Sequence, residues 1–260
     1  MKDQPQDLIT PTLLDGVLTL TLENGKAHAL SQAMIAALHG ALDAAIEDPD
    51  VRVIVLHGPG SIFCAGHDLK EIKRHRQDAD NGEAYLTQLF ESCAQMMQTL
   101  ATCPKPTLAR VEGIATAAGL QLVASCDMAF ASDTARVCLP GVRNGGFCTT
   151  PAVAVSRAIG HSHLMELMLS GEDRGADWAL RAGLLNEVLP ADALPDRVDG
   201  FARTLAGRNP AAIAAGKSAI LTQRTLDLEQ AYALATPVMV GHFLDPARLA
   251  HEKDALFKPQ

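Results

Sequence analysis

Residues 115–127 read ATAAGLQLVASCD, and most of these side chains are no larger than that of threonine. Small side chains crowd a segment where the backbone must approach another group closely. The preceding run, ARVEG, is typical of a strand, and the apolar spacing from residue 117 onward is typical of a helix. One amide, Gln121, lies in the middle of the apolar run. The stretch therefore predicts a strand, a tight loop and a helix N-terminus, with a polar side chain held inside.

An earlier stretch, VLHGPGSIFCAGHDLKE at residues 55–71, has the same order of strand, glycine-containing loop and helix start. The first N–H groups of a helix have no intrahelical acceptor and lie at the positive end of the helix dipole. Two such donors meeting at one point would form an oxyanion hole, which binds a negatively charged oxygen. Glycine turns before helices are also common for structural reasons alone, so both interpretations stay open at this point.

The rest of the chain predicts an α/β protein. Asp15-Gly16 indicates a β-hairpin, and Ser31 is a candidate N-cap for a helix that ends before Pro49. Residues 83–101 have the pattern of a long helix, and the pattern from residue 151 onward is almost entirely helical. We therefore expect an α/β core over residues 1–200 and a helical region over residues 201–260.

Composition excludes several classes of protein. The net charge of −8 argues against a nucleic-acid-binding surface. No apolar run approaches the roughly 20 residues of a membrane-spanning helix, so no membrane partner is expected. The six cysteines contain no CxxC pair and the nine histidines no HExxH pattern, so no metal site is predicted. We expect reduced thiols and a cytoplasmic location.

Three motifs resemble those of the crotonase, or enoyl-CoA hydratase/isomerase, superfamily. SIFCAGHDLKE is similar to the first oxyanion motif of that family, and VEGIATAAGLQLVASCDMAFAS is similar to the second. LSGEDRGADWALRAGLLNEVLP is similar to a later stretch. The resemblance spans about residues 17–190. It implies the crotonase-type spiral of repeated β-β-α units with a C-terminal helical trimerisation region, assembled as a homotrimer or a dimer of trimers.

The resemblance also implies the ligand, an acyl-CoA. The oxyanion donors would be the backbone N–H groups of His67 and Ala118, which would bind the carbonyl oxygen of the thioester. Coenzyme A would be part of the substrate, and no cofactor is implied. Positions that match the coenzyme A contacts of the family are Lys26, Ala27, Ala65, Gly66, Asp68 and Leu69. Asp68 has the alternative role of a helix cap.

The basic cluster of Lys70, Lys73, Arg74 and Arg76 has two interpretations. It would attract the phosphates of coenzyme A, or it would form a solvated helix face.

The two glutamates of the family's hydratases are absent. The resemblance places them at Gln121 and Gly141, where glutamine can orient water but cannot transfer a proton, and glycine can do neither. A positioned acid or base contributes roughly 10²–10⁴-fold in rate. We therefore do not expect efficient hydration. Double-bond isomerisation, decarboxylation and thioester hydrolysis remain candidate reactions, and a catalytically silent acyl-CoA-binding or regulatory protein is the alternative.

Four side chains near the predicted site each have two interpretations. In the loop RNGGFCTTP, Arg143 would bind a substrate carboxylate or make a surface or trimer contact. Cys148 would be a nucleophile or a small buried apolar residue. The imidazole of His67 would take part in catalysis or point towards solvent or the adjacent helix. Gln121 would orient substrate or water, or it would satisfy loop carbonyls.

Overall fold

The computed structural model describes residues 7–256 of the chain. Within that range the strands are β1 (Ile9–Leu14), β2 (Val17–Leu22), β3 (Val53–Gly58), β4 (Ile62–Cys64), β5 (Thr107–Val111), β6 (Ile114–Thr116), β7 (Met128–Ser132), β8 (Arg136–Cys138), β9 (Arg174–Gly175) and β10 (Glu187–Leu189). The helices are α1 (Gln32–Glu47), α2 (Leu69–His75), α3 (Glu83–Ala101), α4 (Ala118–Ser125), α5 (Thr149–Ala158), α6 (His161–Ser170), α7 (Ala176–Ala182), α8 (Leu194–Ala206), α9 (Pro210–Gln223), α10 (Leu228–Leu244) and α11 (Pro246–Leu256).

The local signals near the N-terminus have the predicted structures. Asp15 and Gly16 have φ angles of 51° and 77°, as a two-residue turn of type I′ requires, and β1 pairs antiparallel with β2 across it. The Ser31 hydroxyl accepts a hydrogen bond of 3.1 Å from the Met34 N–H, so α1 begins at Gln32. Both the hairpin and the cap are therefore confirmed.

Two sheets carry the fold. The larger has the strand order β1-β2-β3-β5-β7-β10, in which every pair except β1–β2 is parallel. The smaller has the order β4-β6-β8-β9. Each of β3, β5 and β7 lies in the larger sheet and is followed by a strand of the smaller sheet and then by helical structure. This is the expected spiral of β-β-α units.

The strand β3 shows how the larger sheet is covered on both faces. Its alternate residues Ile54 and Leu56 are buried in the main apolar core. Val53 and Val55 belong to a second cluster, which also contains Val198 of α8. Because both faces are covered, the strand is a continuous apolar run, as is typical of parallel sheets.

The chain divides into two compact units, with the boundary between Ala206 and Gly207. The second unit contains α9, α10 and α11. Among the described residues of these helices, the following large apolar side chains are exposed: Ile220, Leu228, Tyr232, Met239, Val240, Phe243, Leu244 and Leu249. Residues 1–6 and 257–260 of the two predicted regions lie outside the described range. No described helix is long and apolar enough to cross a membrane.

Candidate active site

The N–H group of His67 is set by a strand-like contact with Leu30. The Leu30 N–H donates to the Gly66 carbonyl at 2.8 Å, and the Asp68 N–H donates to the Leu30 carbonyl at 3.3 Å. His67 lies between the two bonded residues Gly66 and Asp68 in this parallel bridge. Its own N–H therefore points to the side away from Leu30. Within residues 7–256 the His67 N–H has no backbone acceptor.

The second predicted donor is the first N–H of α4. Ala117 precedes it with φ 52° and ψ −121°, a left-handed backbone conformation that is unfavourable for alanine. The Ala117 N–H donates to the Cys138 carbonyl at 3.0 Å, and its carbonyl accepts from Leu120 and Gln121 at 3.1 Å. Among the described residues no backbone carbonyl accepts from the Ala118 N–H, as expected for the first residue of a helix.

Glycines bring the two loops into direct contact. A β-carbon on Gly66, whose φ is +83°, would lie 3.1 Å from the Ala118 nitrogen and 3.0 Å from the Ala117 β-carbon. A β-carbon on Gly119 would collide with the Cys64 carbonyl. The parallel pairing of β4 with β6 holds these loops together. Two backbone donors without a backbone acceptor in the described part of the chain therefore lie on neighbouring loops.

Two side chains at these loops have buried polar atoms without a hydrogen-bond partner in the described part of the chain. Gln121 is only 4 % exposed, and its Oε1 is unpaired. The Nε2 of His67 is likewise buried and unpaired, while the imidazole meets the Phe90 ring edge to face at 5.1 Å between centroids. Burial lowers the pKa of His67 to about 4, so its imidazole is neutral at pH 7.

The position of the second family glutamate has no room for a side chain. Gly141 lies in a short 3-10 helix at Pro140–Asn144. A β-carbon on Gly141 would lie 2.7 Å from the Cys148 nitrogen, 2.9 Å from the Phe147 carbonyl carbon and 3.0 Å from the Cys148 Sγ. The backbone at residues 147–148 therefore fills the space that a glutamate would need.

The geometry favours one interpretation of Cys148 and one of Arg143. Burial raises the pKa of the partly buried Cys148 thiol, which favours a small apolar residue over a nucleophile. The exposed Arg143 guanidinium donates to the Gly171 carbonyl at 3.3 Å and lies 3.7 Å from Asp173 Oδ1. These contacts favour a surface role for Arg143 over binding of a substrate carboxylate.

Asp68 is a helix cap in the structure. Its Oδ1 accepts from the N–H groups of Lys70 at 2.8 Å and Glu71 at 3.2 Å, at the start of α2. Both the capping role and a contact with coenzyme A remain compatible with this geometry, because the second carboxylate oxygen takes no part in the cap.

The predicted coenzyme A contacts follow one edge of this region. The Ala65 N–H donates to the Ala27 carbonyl at 2.9 Å, which joins the 3-10 helix Gly25–Ala27 to the first loop. Lys26 and Leu69 are exposed. The four cationic side chains of α2 and its C-cap are also exposed: Lys70, Lys73, Arg74 and Arg76. Only the guanidinium of Arg74 has a carboxylate neighbour in this helix, Glu71 at 3.5 Å.

Two residues that pack against the first loop were not among the predicted site residues. Glu112 follows β5, where its Oε2 accepts from the Gly60 N–H at 3.2 Å and its Oε1 lies 2.9 Å from His57 Nε2. Through these contacts Glu112 holds the start of the first loop at the end of β5. The signal in the sequence was a charged residue between Val111 and a glycine. Phe90 contacts the His67 ring. The sequence pattern around Phe90 predicts a helix but does not indicate this contact.

Comparisons with known proteins identify the family of this chain. The family described as enoyl-CoA hydratase/isomerase matches residues 13–248. The chain is 39 % identical over 229 residues to the mitochondrial enoyl-CoA hydratase domain-containing protein 3 of Rattus norvegicus, covering 88 % of this chain and 75 % of the relative.

Solved structures of this family have the same fold. A crystal structure of an enoyl-CoA hydratase/isomerase family protein from Silicibacter pomeroyi is 58 % identical, with a TM-score of 0.87, and covers 91 % of this chain and 100 % of that chain. The crystal structure of human enoyl-CoA hydratase domain-containing protein 3 is 34 % identical, with a TM-score of 0.89 and coverage of 97 % and 98 %. The chain therefore belongs to the enoyl-CoA hydratase/isomerase family of the crotonase superfamily, in the subgroup of enoyl-CoA hydratase domain-containing protein 3.

Proposed function

We propose that the protein binds an acyl-CoA thioester and holds its carbonyl oxygen between the N–H groups of His67 and Ala118. The observation that carries this proposal is the contact between the two loops at Gly66, where a β-carbon would lie only 3.1 Å from the Ala118 nitrogen. Donors in such a pair stabilise the negative charge of an enolate. Each is worth roughly 2.7–4 kcal/mol in a transition state.

The reaction is not an efficient hydration. Gln121 cannot exchange a proton, and the space beside Gly141 is filled by the backbone of residues 147–148. We propose an isomerase- or lyase-type activity that relies on enolate stabilisation, for which double-bond isomerisation and decarboxylation are candidates. Thioester hydrolysis is a third candidate reaction. All three reactions would place the protein in fatty acid metabolism.

A catalytically silent acyl-CoA-binding or regulatory protein is the second candidate. Three observations favour it, because each weakens a group that could have replaced the glutamates. The raised pKa keeps the Cys148 thiol protonated at neutral pH, and Arg143 is held by Gly171 and Asp173. The pKa of His67, lowered to about 4 by burial, makes the imidazole a weak base.

Coenzyme A would enter as part of the substrate, with no separate cofactor. In this proposal Lys26 and Ala27 lie at its nucleotide end, and Ala65, Asp68 and Leu69 contact the adenine and the pantetheine arm. The exposed cations of α2 and its C-cap would add electrostatic attraction for the phosphates.

We propose self-association through the second unit, as a homotrimer or a dimer of trimers. The exposed apolar side chains of α9 and α10 support it, because contiguous exposed apolar surface indicates an interaction site. Sedimentation equilibrium tests the subunit number. The cytoplasmic location stays a prediction from the cysteine spacing. The relative from Rattus norvegicus is named mitochondrial, and cell fractionation would decide between the two locations for this chain.

The testing experiment is titration calorimetry with crotonyl-CoA and acetoacetyl-CoA, run beside an assay for crotonyl-CoA hydration. Binding of both ligands without hydration is the expected result. Absence of binding would overturn the proposal. Hydration at the rate of an ordinary hydratase would mean that an acid or base other than residues 121 and 141 acts at the site. If binding is found, isomerase, decarboxylase and thioesterase substrates then separate the enzyme from the silent protein.

A further inference from the structure

Glu112 joins three successive turns of the β-β-α spiral. It follows β5 and begins the turn to β6, which leads to the second loop and to Ala118. Its Oε2 accepts from the Gly60 N–H at 3.2 Å, in the turn between β3 and β4 that leads to His67. Its backbone carbonyl accepts from the Ser132 hydroxyl at 2.6 Å, at the end of β7. One residue therefore connects the turns that precede both proposed oxyanion donors.

The ladder between β4 and β6 is too short to fix the two loops firmly. It contains two pairs, Ile62 with Ile114 and Cys64 with Ala115, and between these pairs β4 has one more residue than β6. A short ladder with such an irregularity resists slipping less than a regular one. A slip of one residue would separate the two donors by more than a hydrogen bond tolerates. Contacts outside the ladder must therefore hold the first loop against the second.

A chain of hydrogen bonds holds the Glu112 carboxylate in place. The Arg110 guanidinium Nη2 lies 2.6 Å from His57 Nδ1, closer than it lies to Nε2 at 2.9 Å. Because arginine only donates, Nδ1 is the acceptor. Burial lowers the pKa of His57, so the neutral imidazole carries its one N–H on Nε2. That N–H donates to Glu112 Oε1 at 2.9 Å, and Asp199 of α8 lies 3.9 Å from the Arg110 guanidinium.

A carboxylate at position 112 accepts two hydrogen bonds that an amide cannot accept together. The His57 N–H meets one oxygen and the Gly60 N–H meets the other. Glutamine would turn its NH₂ group towards one of these two donors, and two donors cannot bond to each other. Alanine at position 60 would keep the N–H, and its β-carbon would meet nothing within 4 Å. The link between the turns therefore depends on the carboxylate and not on the glycine.

We propose that Glu112 is a positioning residue, which fixes the first loop against the second so that the N–H groups of His67 and Ala118 meet at one ligand oxygen. Glu112 acts through the backbone and does not touch the ligand. The inference rests on the proposed function, since it needs both donors to bind the carbonyl of the thioester. The affinity for an acyl-CoA then depends on a hydrogen-bond chain that begins at α8.

The test moves the carboxylate from position 112 to position 57. Titration calorimetry with acetoacetyl-CoA compares the wild type with Glu112→Gln and with the double variant His57→Glu, Glu112→Gln. The single variant is expected to bind about fivefold more weakly or worse, because one donor loses its acceptor. In the double variant the carboxylate at position 57 accepts from Arg110 and from the new amide, whose oxygen again accepts from the Gly60 N–H. Its affinity is expected to return to within about twofold of the wild type.

Two results of this titration would overturn the inference. One is a folded Glu112→Gln protein that binds acetoacetyl-CoA as tightly as the wild type. The other is a loss of affinity that the double variant does not reverse, because the hydrogen-bond chain would then not be its source. Either result leaves the proposed function intact. No binding of acetoacetyl-CoA by the wild type would mean that the proposed function itself fails.

Thr107→Val is the control for a purely structural effect. At the opposite end of β5, the Thr107 hydroxyl lies 3.0 Å from Asp127 Oδ2 and accepts from the Asp127 N–H at 2.9 Å. Removing this hydroxyl should lower the free energy of unfolding, measured in urea, without changing the affinity for acetoacetyl-CoA. If Thr107→Val and Glu112→Gln lost affinity in proportion to their loss of stability, Glu112 would not be a positioning residue.

Hydrogen exchange in the wild type decides the question if Glu112→Gln does not fold. If the position of the first loop and ligand binding depend on each other, the coupling is reciprocal. Saturating acetoacetyl-CoA is therefore expected to slow the exchange of the Gly60 amide by about threefold or more, although Gly60 does not contact the ligand. An unchanged exchange rate at Gly60 under saturating ligand would overturn the inference.

Discussion

A β-carbon placed on Gly66 would lie 3.1 Å from the backbone nitrogen of Ala118. Gly66→Ala is therefore expected to obstruct the second oxyanion donor, in addition to straining a backbone with φ of +83°. We expect the affinity for acetoacetyl-CoA to fall about tenfold or more, the contribution of a good hydrogen bond. Titration calorimetry on the folded variant measures this loss.

Gly60→Ala is the matched control for that substitution. Gly60 has φ of +87°, but a β-carbon there would meet nothing within 4 Å. The backbone strain should lower the free energy of unfolding by about 1–2 kcal/mol in both variants. Only Gly66→Ala should lose acyl-CoA affinity. Equal losses of affinity in the two variants would speak against an oxyanion donor at Ala118.

Gly141→Glu, alone or with Gln121→Glu, is expected not to produce an efficient hydratase. The new β-carbon would lie 2.7 Å from the Cys148 nitrogen, so the backbone at residues 147–148 would have to move. We expect the free energy of unfolding to fall by about 1–3 kcal/mol, as for other overpacked sites. Urea unfolding and the crotonyl-CoA hydration assay are the measurements.

A glutamate at an open glycine is the comparison for this change. Gly40 lies on an exposed face of α1, with nothing within 4 Å of its missing β-carbon. Gly40→Glu should therefore raise helix stability by about 0.5–1 kcal/mol. Hydratase activity in the Gln121→Glu, Gly141→Glu double variant would show that the second loop is more adaptable than its packing indicates.

Ala117→Gly is expected to stabilise the protein. Alanine at φ 52° and ψ −121° carries strain of about 1–3 kcal/mol, and glycine relieves it while adding about 0.5–1 kcal/mol of backbone entropy cost. The net expectation is a gain of about 1 kcal/mol in the free energy of unfolding. Ala118→Gly, at a residue inside α4, should instead lose stability. If Ala117→Gly and Ala118→Gly lowered the free energy of unfolding by similar amounts, the backbone at Ala117 would not be strained.

The stability of the protein should fall as the pH decreases from 7 to 5, in part through His67. The pKa of this group is lowered from 6.5 to about 4 in the folded state, so below pH 6.5 the unfolded chain takes up a proton that the folded chain does not. The stabilisation is therefore present above pH 6.5 and is lost as the pH falls towards 4. By linkage, roughly 2 kcal/mol should be lost by pH 5.

Urea unfolding of His67→Gln beside the wild type isolates this contribution. Burial also lowers the pKa of His57, which acts in the same direction but is common to both proteins. The variant should show the smaller decrease between pH 7 and pH 5. The same decrease in both proteins would exclude His67 as its source.

Local patterns predicted much of the fold. The hairpin at Asp15-Gly16, the Ser31 cap and the helix Glu83–Ala101 each depend on neighbouring residues alone. The strands β4 and β6 were not predicted, because each is short and lies in a stretch that has the composition of a glycine-containing loop. Their pairing is what brings the two loops together.

The candidate site was likewise predictable only in part. The motifs name His67, Ala118 and Gln121 as candidate site residues, since each lies within one recognisable stretch, and their roles stay predictions. The space at Gly141 is filled because the chain turns back on itself at Phe147 and Cys148, and the pKa of His67 is lowered by burial, to which Phe90 of α3 contributes. No sequence pattern shows either the turn or the burial.

In the small sheet, Cys64 of β4 lies opposite Ala115 of β6, and each proposed donor follows its partner of this pair by the same number of residues. Inserting or deleting one residue between Cys64 and His67, or between Ala115 and Ala118, would shift one donor by about 3.3 Å relative to the other, farther than a hydrogen bond tolerates. A substitution at position 121 changes one side chain and leaves that spacing untouched. Substitutions in this fold can therefore change the reaction while the two donors stay in place. Insertions and deletions within residues 64–67 or 115–118 should abolish binding and be selected against.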